Sequence, residues 1–381
     1  MTAIAASTSA RSLPSEETWD VVIVGAGPAG AMAARGLASR GVKVLLVDRA
    51  PFPRYKVCGS CLSPTAMQIL RYIGLHSTLQ RAVPTHALEL VAYGKRAEIV
   101  LPGGAAVSRA AFDAALVADA VRAGAAFCDD TIAQWLCDTD NEVSIRLTRG
   151  TGFRVVRARA VVAADGLSGS FTRHLPGARV ITRRNSWIGA GASTCFPEWL
   201  SPQTIRMCIS ADGYVGVVHV EDGTLALAAA VNPRILKSSG GLGVAVQRIM
   251  RMSGARFLPA VEDLRWRGTP PLSRRHTAPD SPRIFVVGDA AGYVEPFTGE
   301  GMAWALMAGN EVIAHVERRL LHPSARDGQR WIRARDRKLR MRKVRCAVVT
   351  AGLRSPTWTR IGLHVLGLRS TIATRVIAQL R

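Results

Sequence analysis

The chain has no apolar run of about 18 residues, no second Cys-x-x-Cys pair, no histidine pair at metal-ligand spacing and no acidic residue after Asp336. Each absence excludes something. Without a long apolar run no transmembrane helix is expected. With a single Cys-x-x-Cys, at Cys58 and Cys61, a structural zinc site is not built, and no metal is expected. Seven cysteines, an odd number without regular spacing, do not make a disulfide framework of the secreted kind, which fits a reducing cytoplasm. Met1 to Trp19 is rich in Ala and Ser but lacks an apolar core, so residues 1–17 read as a disordered leader and not a signal peptide. Lysine is scarce as well. Of 50 basic residues only six are Lys, and 11 basic residues fall in 337–381, half of the formal net charge of +22.

What the chain does have is glycine in three telling places. Asp20-Val-Val-Ile-Val-Gly25-Ala-Gly27-Pro28-Ala29-Gly30 is an apolar strand that runs into a glycine turn and a helix-forming stretch. Lys43-Val-Leu-Leu-Val-Asp48 is a second strand closed by an acid, 18 residues after Gly30. Gly25 permits the tight turn, Gly27 lets the backbone approach a pyrophosphate, and Gly30 lets the helix pack close to the sheet. The phosphates meet the free amides of the helix starting near Pro28, and Asp48 accepts from ribose hydroxyls. Ala160-Val-Val-Ala-Ala-Asp165-Gly166 and Arg283-Ile-Phe-Val-Val-Gly288-Asp289-Ala-Ala-Gly292 supply the other two segments. Together the three predict a single FAD site.

On these residues the sequence resembles the FAD-dependent oxidoreductases of the p-hydroxybenzoate hydroxylase-like superfamily. Phe52-Pro53-Arg54-Tyr-Lys56-Val-Cys58-Gly59-Ser-Cys61-Leu62-Ser63-Pro64 is similar to the F-P-R-x-K-x-C-G-x-x-L-S-P segment of its geranylgeranyl reductase-like branch. The resemblance covers roughly residues 18–320. It implies that Pro28, Ala29, Arg49, Lys56, Cys58, Gly59, Arg109, Asp165, Gly166, Gly288 and Asp289 border FAD beside the fingerprint glycines and Asp48. It also implies that Pro296, Gly299, Gly301 and Met302 lie along the isoalloxazine ring. Two departures stand out. Geranylgeranyl reductases carry Y-x-W-x-F-P on the substrate sheet where this chain reads Tyr214-Val-Gly216-Val-Val-His219, and the W-x-W-x-I-P motif of flavin-dependent halogenases is missing.

The expected fold is α/β: a Rossmann-like FAD-binding domain of the p-hydroxybenzoate hydroxylase type, an antiparallel substrate sheet and a C-terminal helical region. The FAD domain is expected to be discontinuous, 18–75, 105–175 and 270–320, with the substrate domain at 76–104 and 176–269 and a basic helical tail at 321–381. Trp19–Val24 and Lys43–Asp48 read as buried parallel strands, and Arg109–Gly124 as a helix ending at glycine. Thr131–Leu136, Val143–Thr148 and Phe153–Ala158 read as a meander, and Val161–Ala164 as a separate strand returning to the main sheet. Asp212-Gly213 and Asp222-Gly223 read as hairpin turns. Gly299–Glu317 reads as the helix whose amides face the flavin.

Flavin carries the redox chemistry and the protein positions it. Cys58, Tyr214 and His219 are the candidate catalytic side chains: Cys58 beside the ring by resemblance, Tyr214 and His219 as proton donors or shuttles. The function expected is oxidation or reduction of a hydrophobic lipid, isoprenoid or polyketide-like molecule, by monooxygenation or double-bond reduction. Electrons would come from NAD(P)H bound transiently, since no second fingerprint is present, or from a partner protein. The other readings are a geranylgeranyl-type reductase, a halogenase, and a non-catalytic FAD-binding protein at the membrane. The last rests on the tail, where Ile361, Leu363, Val365, Leu366, Leu368, Ile372, Val376, Ile377 and Leu380 are interrupted by arginines. A basic amphipathic helix can lie on the inner face of an anionic membrane, cap a substrate tunnel, or pack on the body as an ordinary solvated helix. No nucleic-acid motif is present.

Overall fold

In a computed structural model, residues 13–368 are described apart from 76–78, 196, 257, 278, 296 and 298. Two seven-stranded sheets organise them. In the first, Thr18–Val24 lies between Val44–Val47 and Gly152–Ala163, parallel to both. Ala126–Cys128 extends one side, and Ile284–Val286 joins Gly152–Ala163 in parallel. Val44–Val47, Ile284–Val286 and residues 21–24 of the first strand are apolar and buried on both faces, as helix-covered parallel strands are.

The meander differs from expectation in one respect. Gly152–Ala163 is one strand of 12 residues, not two. Its first half pairs antiparallel with Val143–Arg149, while its second half enters the parallel core beside Thr18–Val24. Arg157, Ala158, Arg159 and Ala160 alternate exposed and buried without a break, and between Phe153 and Ala163 no Gly, Pro, Asn or Asp interrupts the pleat.

The second sheet runs in the order Arg267–Pro271, Ile188–Thr194, Leu225–Val231, Gly213–His219, Thr204–Ser210, Ala87–Ala92, Lys95–Val100. Gly213–His219 pairs antiparallel with both neighbours through the Asp212 and Asp222 turns. Ala87–Ala92, contributed from far upstream, joins Thr204–Ser210 in parallel.

Helix Pro28–Ala38 packs between Arg109–Arg122 and Gly301–Leu321. Its crossing with Gly301–Leu321 is so close that a Cβ on Gly309 would lie 2.3 Å from the Ala29 carbonyl oxygen. The two sheets are tied at one capping site. The carboxylate of Glu221, from the second-sheet hairpin, accepts from the Ser108 amide at 2.7 Å and the Ser108 hydroxyl at 2.6 Å, at the start of helix Arg109–Arg122.

The basic tail forms two helices, Asp327–Leu353 and Pro356–Leu368, with residues 369–381 outside those described. One face of the first is committed to the body. Trp331 is buried and donates to the Val286 carbonyl at 2.9 Å, and Cys346 and Thr350 reach the Glu295 carbonyl at 3.1 and 3.3 Å. At the other terminus, Arg154 donates to the Ser15 carbonyl at 3.1 Å and the Arg157 amide to Glu17 at 2.7 Å, so residues 15–17 lie along the first sheet.

The helix crossing yields a paired prediction. Gly309→Ala must push against backbone and is expected to cost about 1–3 kcal/mol in urea unfolding. Gly352→Ala, with no atom within 4 Å of the added Cβ, is expected to be neutral or to gain up to about 1 kcal/mol. Equal effects at the two sites would contradict the packing described.

Candidate cofactor and substrate site

A cavity of about 1130 Å³ runs from the fingerprint turn to the second sheet. At its first end the three glycines divide the work by geometry. Gly25 has φ +106°, and a Cβ there would meet the Ala164 carbonyl oxygen at 2.3 Å. A Cβ on Gly30 would meet the Gly25 carbonyl oxygen at 1.9 Å. Gly27 is different: its Cβ direction is open, with the guanidiniums of Arg109 and Arg54 at 3.6 and 3.9 Å. Helix Pro28–Ala38 begins there with no side-chain cap and no acid in its first turn. Free amides, an open glycine and two guanidiniums are the donor set a diphosphate requires, and the residues present fit FAD.

The two arginines are fixed by one carboxylate. Asp113 is fully buried and accepts from Arg54 Nη1 at 2.8 Å and from Arg109 Nε and Nη2 at 2.9 and 2.8 Å. Arg54 reaches on to Asp48 at 3.0 Å, whose carboxylate also accepts the Ala26 amide at 2.9 Å and the Ala50 amide at 3.0 Å. Arg49 and Lys56 line the same end. Burial, followed by the neighbouring Arg54 and Arg109, pushes the Lys56 ammonium below the ordinary lysine range. A bound anion would oppose that shift.

Asp165 and Asp289 lie in the middle of the cavity and do different things. The Asp165 carboxylate is engaged by its own loop, accepting the Phe171 and Thr172 amides at 2.6 and 2.9 Å and the Thr172 hydroxyl at 2.5 Å. It shapes the turn at Gly166, where φ is +69° and Lys56 Nζ lies nearby. Asp289 faces the cavity. Burial pushes its carboxyl up, against the pull of Arg109, Lys56, Lys343 and Arg274.

Cys58, Gly59, Gly288, Gly299, Gly301 and Met302 line the next stretch, which brings the segment around Cys58 against the start of helix Gly301–Leu321. The helix starts at Gly301 and not at Gly299, which has φ +72°. Pro296 lies outside the described residues, as does Thr298. Asp113, and after it the neighbouring Cys58, hold the Arg109 guanidinium charged despite burial.

The far end is apolar, lined by Leu90, Ile205, Met207, Val217, Val349 and Leu353. Its polar feature is a cluster no motif announced. Tyr214 sits between Phe297, at 5.1 Å edge-on, and Trp187, at 6.1 Å. Buried Glu295 accepts from Arg354 Nη2 at 2.7 Å, and Arg354 lies over the Trp187 ring at 4.5 Å. Burial pushes the Glu295 carboxyl up, while Arg354 and then the neighbouring Tyr214 pull it down, and burial prevails. Tyr214 is pushed well above the ordinary phenol value by burial and then by Glu295. His219 does not join them. Its Nε2 lies 2.8 Å from the Leu200 carbonyl oxygen, and it is not among the residues lining the cavity. The sequence held the signal: Tyr214 and His219 are five apart on one strand, so their side chains point to opposite faces.

The model of a family described as an FAD binding domain matches residues 18–313. A menaquinone reductase of Mycobacterium tuberculosis is 34% identical over 168 residues, 42% of this chain and 40% of that protein, so the match spans well under half of the relative's length. A geranylgeranyl diphosphate reductase of Rhodobacter capsulatus is 28% identical over 315 residues, 76% of this chain and 73% of the other. Among solved structures, a geranylgeranyl bacteriochlorophyll reductase-like protein of Thermoplasma acidophilum shares the fold with a TM-score of 0.76, at 21% identity over 96% of each chain.

Two predictions follow the geometry. Gly27→Ala is expected to leave the FAD-stripped protein within about 0.5 kcal/mol of wild type in urea. The same change is expected to weaken FAD binding by about tenfold or more in a flavin titration, whereas Gly30→Ala loses stability as well. Wild-type affinity in Gly27→Ala would remove the diphosphate from this place. The second concerns Glu295. Its folded-state pKa lies above the ordinary 4.5, so its contribution to stability is present below that value and is lost as pH rises through the folded pKa. Measured by thermal melts, the stability of Glu295→Gln relative to wild type should therefore rise with pH above about 4.5. A difference that does not change with pH would refute the assignment.

Proposed function

The chain belongs to the FAD-binding-domain family of the p-hydroxybenzoate hydroxylase-like superfamily, on its geranylgeranyl reductase-like branch, and we propose that it is an FAD-dependent reductase of carbon–carbon double bonds in a hydrophobic, lipid-like molecule. The observation that carries this reading is the continuity of one cavity from the Gly27 turn and its arginines to an apolar chamber lined at its far end by Tyr214, with Glu295 buried behind it. The named relatives that reduce menaquinone and geranylgeranyl diphosphate support a long apolar substrate.

When bound, FAD supplies the two-electron chemistry. This chain's residues do the rest. Arg54 and Arg109, held by Asp113, bind the diphosphate, and the amides at the start of helix Gly301–Leu321 favour negative charge at the ring. The apolar chamber excludes water, and at its far end the Tyr214 hydroxyl, beside Glu295, is a group able to hold a proton for the substrate. Reduction of a double bond consumes a hydride and a proton, and this pair is where the proton is held. Gly216 stands where the branch has tryptophan, and the Met207 sulfur lies 2.9 Å from the position its Cβ would take. Met207 thus fills the space beside Gly216, so a flexible thioether, and not an indole, borders the chamber there. NAD(P)H, bound transiently, is the proposed reductant.

The test is turnover without oxygen. Purified holoprotein given NADPH and a short-chain menaquinone under argon is expected to bleach its flavin and yield a product that remains two hydrogens heavier after its quinone ring is reoxidised in air. A reaction that proceeds only in air and adds an oxygen atom would make it a monooxygenase and overturn the proposal.

A further inference from the structure

We propose that the outward face of the two C-terminal helices is a docking surface for an anionic lipid bilayer. Their inward face is already assigned. Cys346, Thr350 and Arg354 bond to Glu295, Val349 and Leu353 line the substrate chamber, and Leu363 is buried against the second sheet. The opposite face carries large apolar side chains that the fold does not use. Met341, Val344 and Val348 follow one another at i, i+3 and i+7, and Trp358, Ile361 and Val365 repeat that spacing on the next helix. All six are between 48% and 66% exposed. Scattered exposed apolar residues need no explanation, but two stripes in helical register on successive helices do.

The charge beside the stripes selects the partner. Arg333, Arg337 and Arg340 are exposed, and Arg337 and Arg340 lie one turn before Met341 and Val344 on the same side of the helix. No acidic residue follows Asp336 anywhere in the sequence. A helix that combines exposed Met, Val, Trp and Ile with flanking arginines matches the boundary of an anionic membrane, where apolar groups enter the acyl region and guanidiniums meet headgroup phosphates. Tryptophan at such a face is suited to the headgroup level. A second copy of the chain fits less well, because pairing the stripes would bring two rows of arginines together. Among the described residues no helix is long and apolar enough to cross a membrane, so the contact is one of lying on the surface.

The placement has a use. The helix that presents Val348 outward presents Val349 and Leu353 inward, so an apolar substrate leaving the bilayer would meet the roof of the chamber within one helix diameter.

Sedimentation of the full-length holoprotein with vesicles tests this independently of any activity. Binding to vesicles containing phosphatidylglycerol is expected to exceed binding to pure phosphatidylcholine by about tenfold or more, and to weaken with salt. The double variant Val348→Asp/Ile361→Asp is expected to lose that binding by about tenfold or more while keeping its bound flavin and melting temperature. Wild type that ignores both vesicles, or a double variant that binds as wild type does, overturns the proposal. So does a concentration-dependent dimer that the double variant abolishes, since the face would then be an interface between copies.

Discussion

The cofactor end of this molecule depends on a single buried carboxylate. Asp113 has no exposed surface, and a carboxylate in that position without partners would cost several kcal/mol. Arg54 and Arg109 therefore have little freedom. One arrives from a loop 59 residues upstream, the other from one helical turn before Asp113, and both are held in front of Gly27. The same pairing carries the loop containing Lys56 and Cys58 to the cavity wall. The identity of one residue on a helix thus fixes the electrostatics of the diphosphate end and the position of the segment that lines the middle of the site.

A second constraint couples the two halves. The hairpin turn at Asp222 would be ordinary surface were it not for Glu221, which caps the helix that carries Arg109 and Asp113. A carboxylate at a helix start satisfies orphan amides and opposes the positive end of the helix dipole. Here it comes from the other sheet. The hairpin of the second sheet and the helix carrying the arginine cluster are thereby joined through Ser108.

Much of the fold was legible because its signals are local. The strand, turn and helix at Asp20–Gly30, the Asp212 and Asp222 hairpins and the helix after Ser108 each declare themselves within a dozen residues through apolar period, glycine and capping chemistry. The split assigned to Gly152–Ala163 arose because the change from half-exposed to fully buried pattern looked like a boundary. The pleat in fact continues while its surroundings change. The site was legible where glycine geometry demands a specific residue and opaque where side chains meet across the chain. Nothing local ties Glu295 to Tyr214 or Arg354, which lie 81 and 59 residues away, so the cluster is visible only once the second sheet and the last helices are in place.

That cluster also explains why the tail cannot be read as an appendage. Asp327–Leu353 contributes Trp331 to the cofactor core and Cys346 and Thr350 to the backbone of Glu295, and Arg354 just beyond it binds the Glu295 carboxylate. Arginine suits this last role because its planar head stacks on Trp187 while donating to the carboxylate, which lysine cannot do in the same geometry. A helix whose composition looks like a solvated charge run is thereby the lid of an apolar chamber. Its excess of arginine serves two faces with opposite needs: one guanidinium near its end neutralises a buried acid within, and others stand beside an apolar stripe without. Mean composition averages those two faces together, and only the helical period separates them.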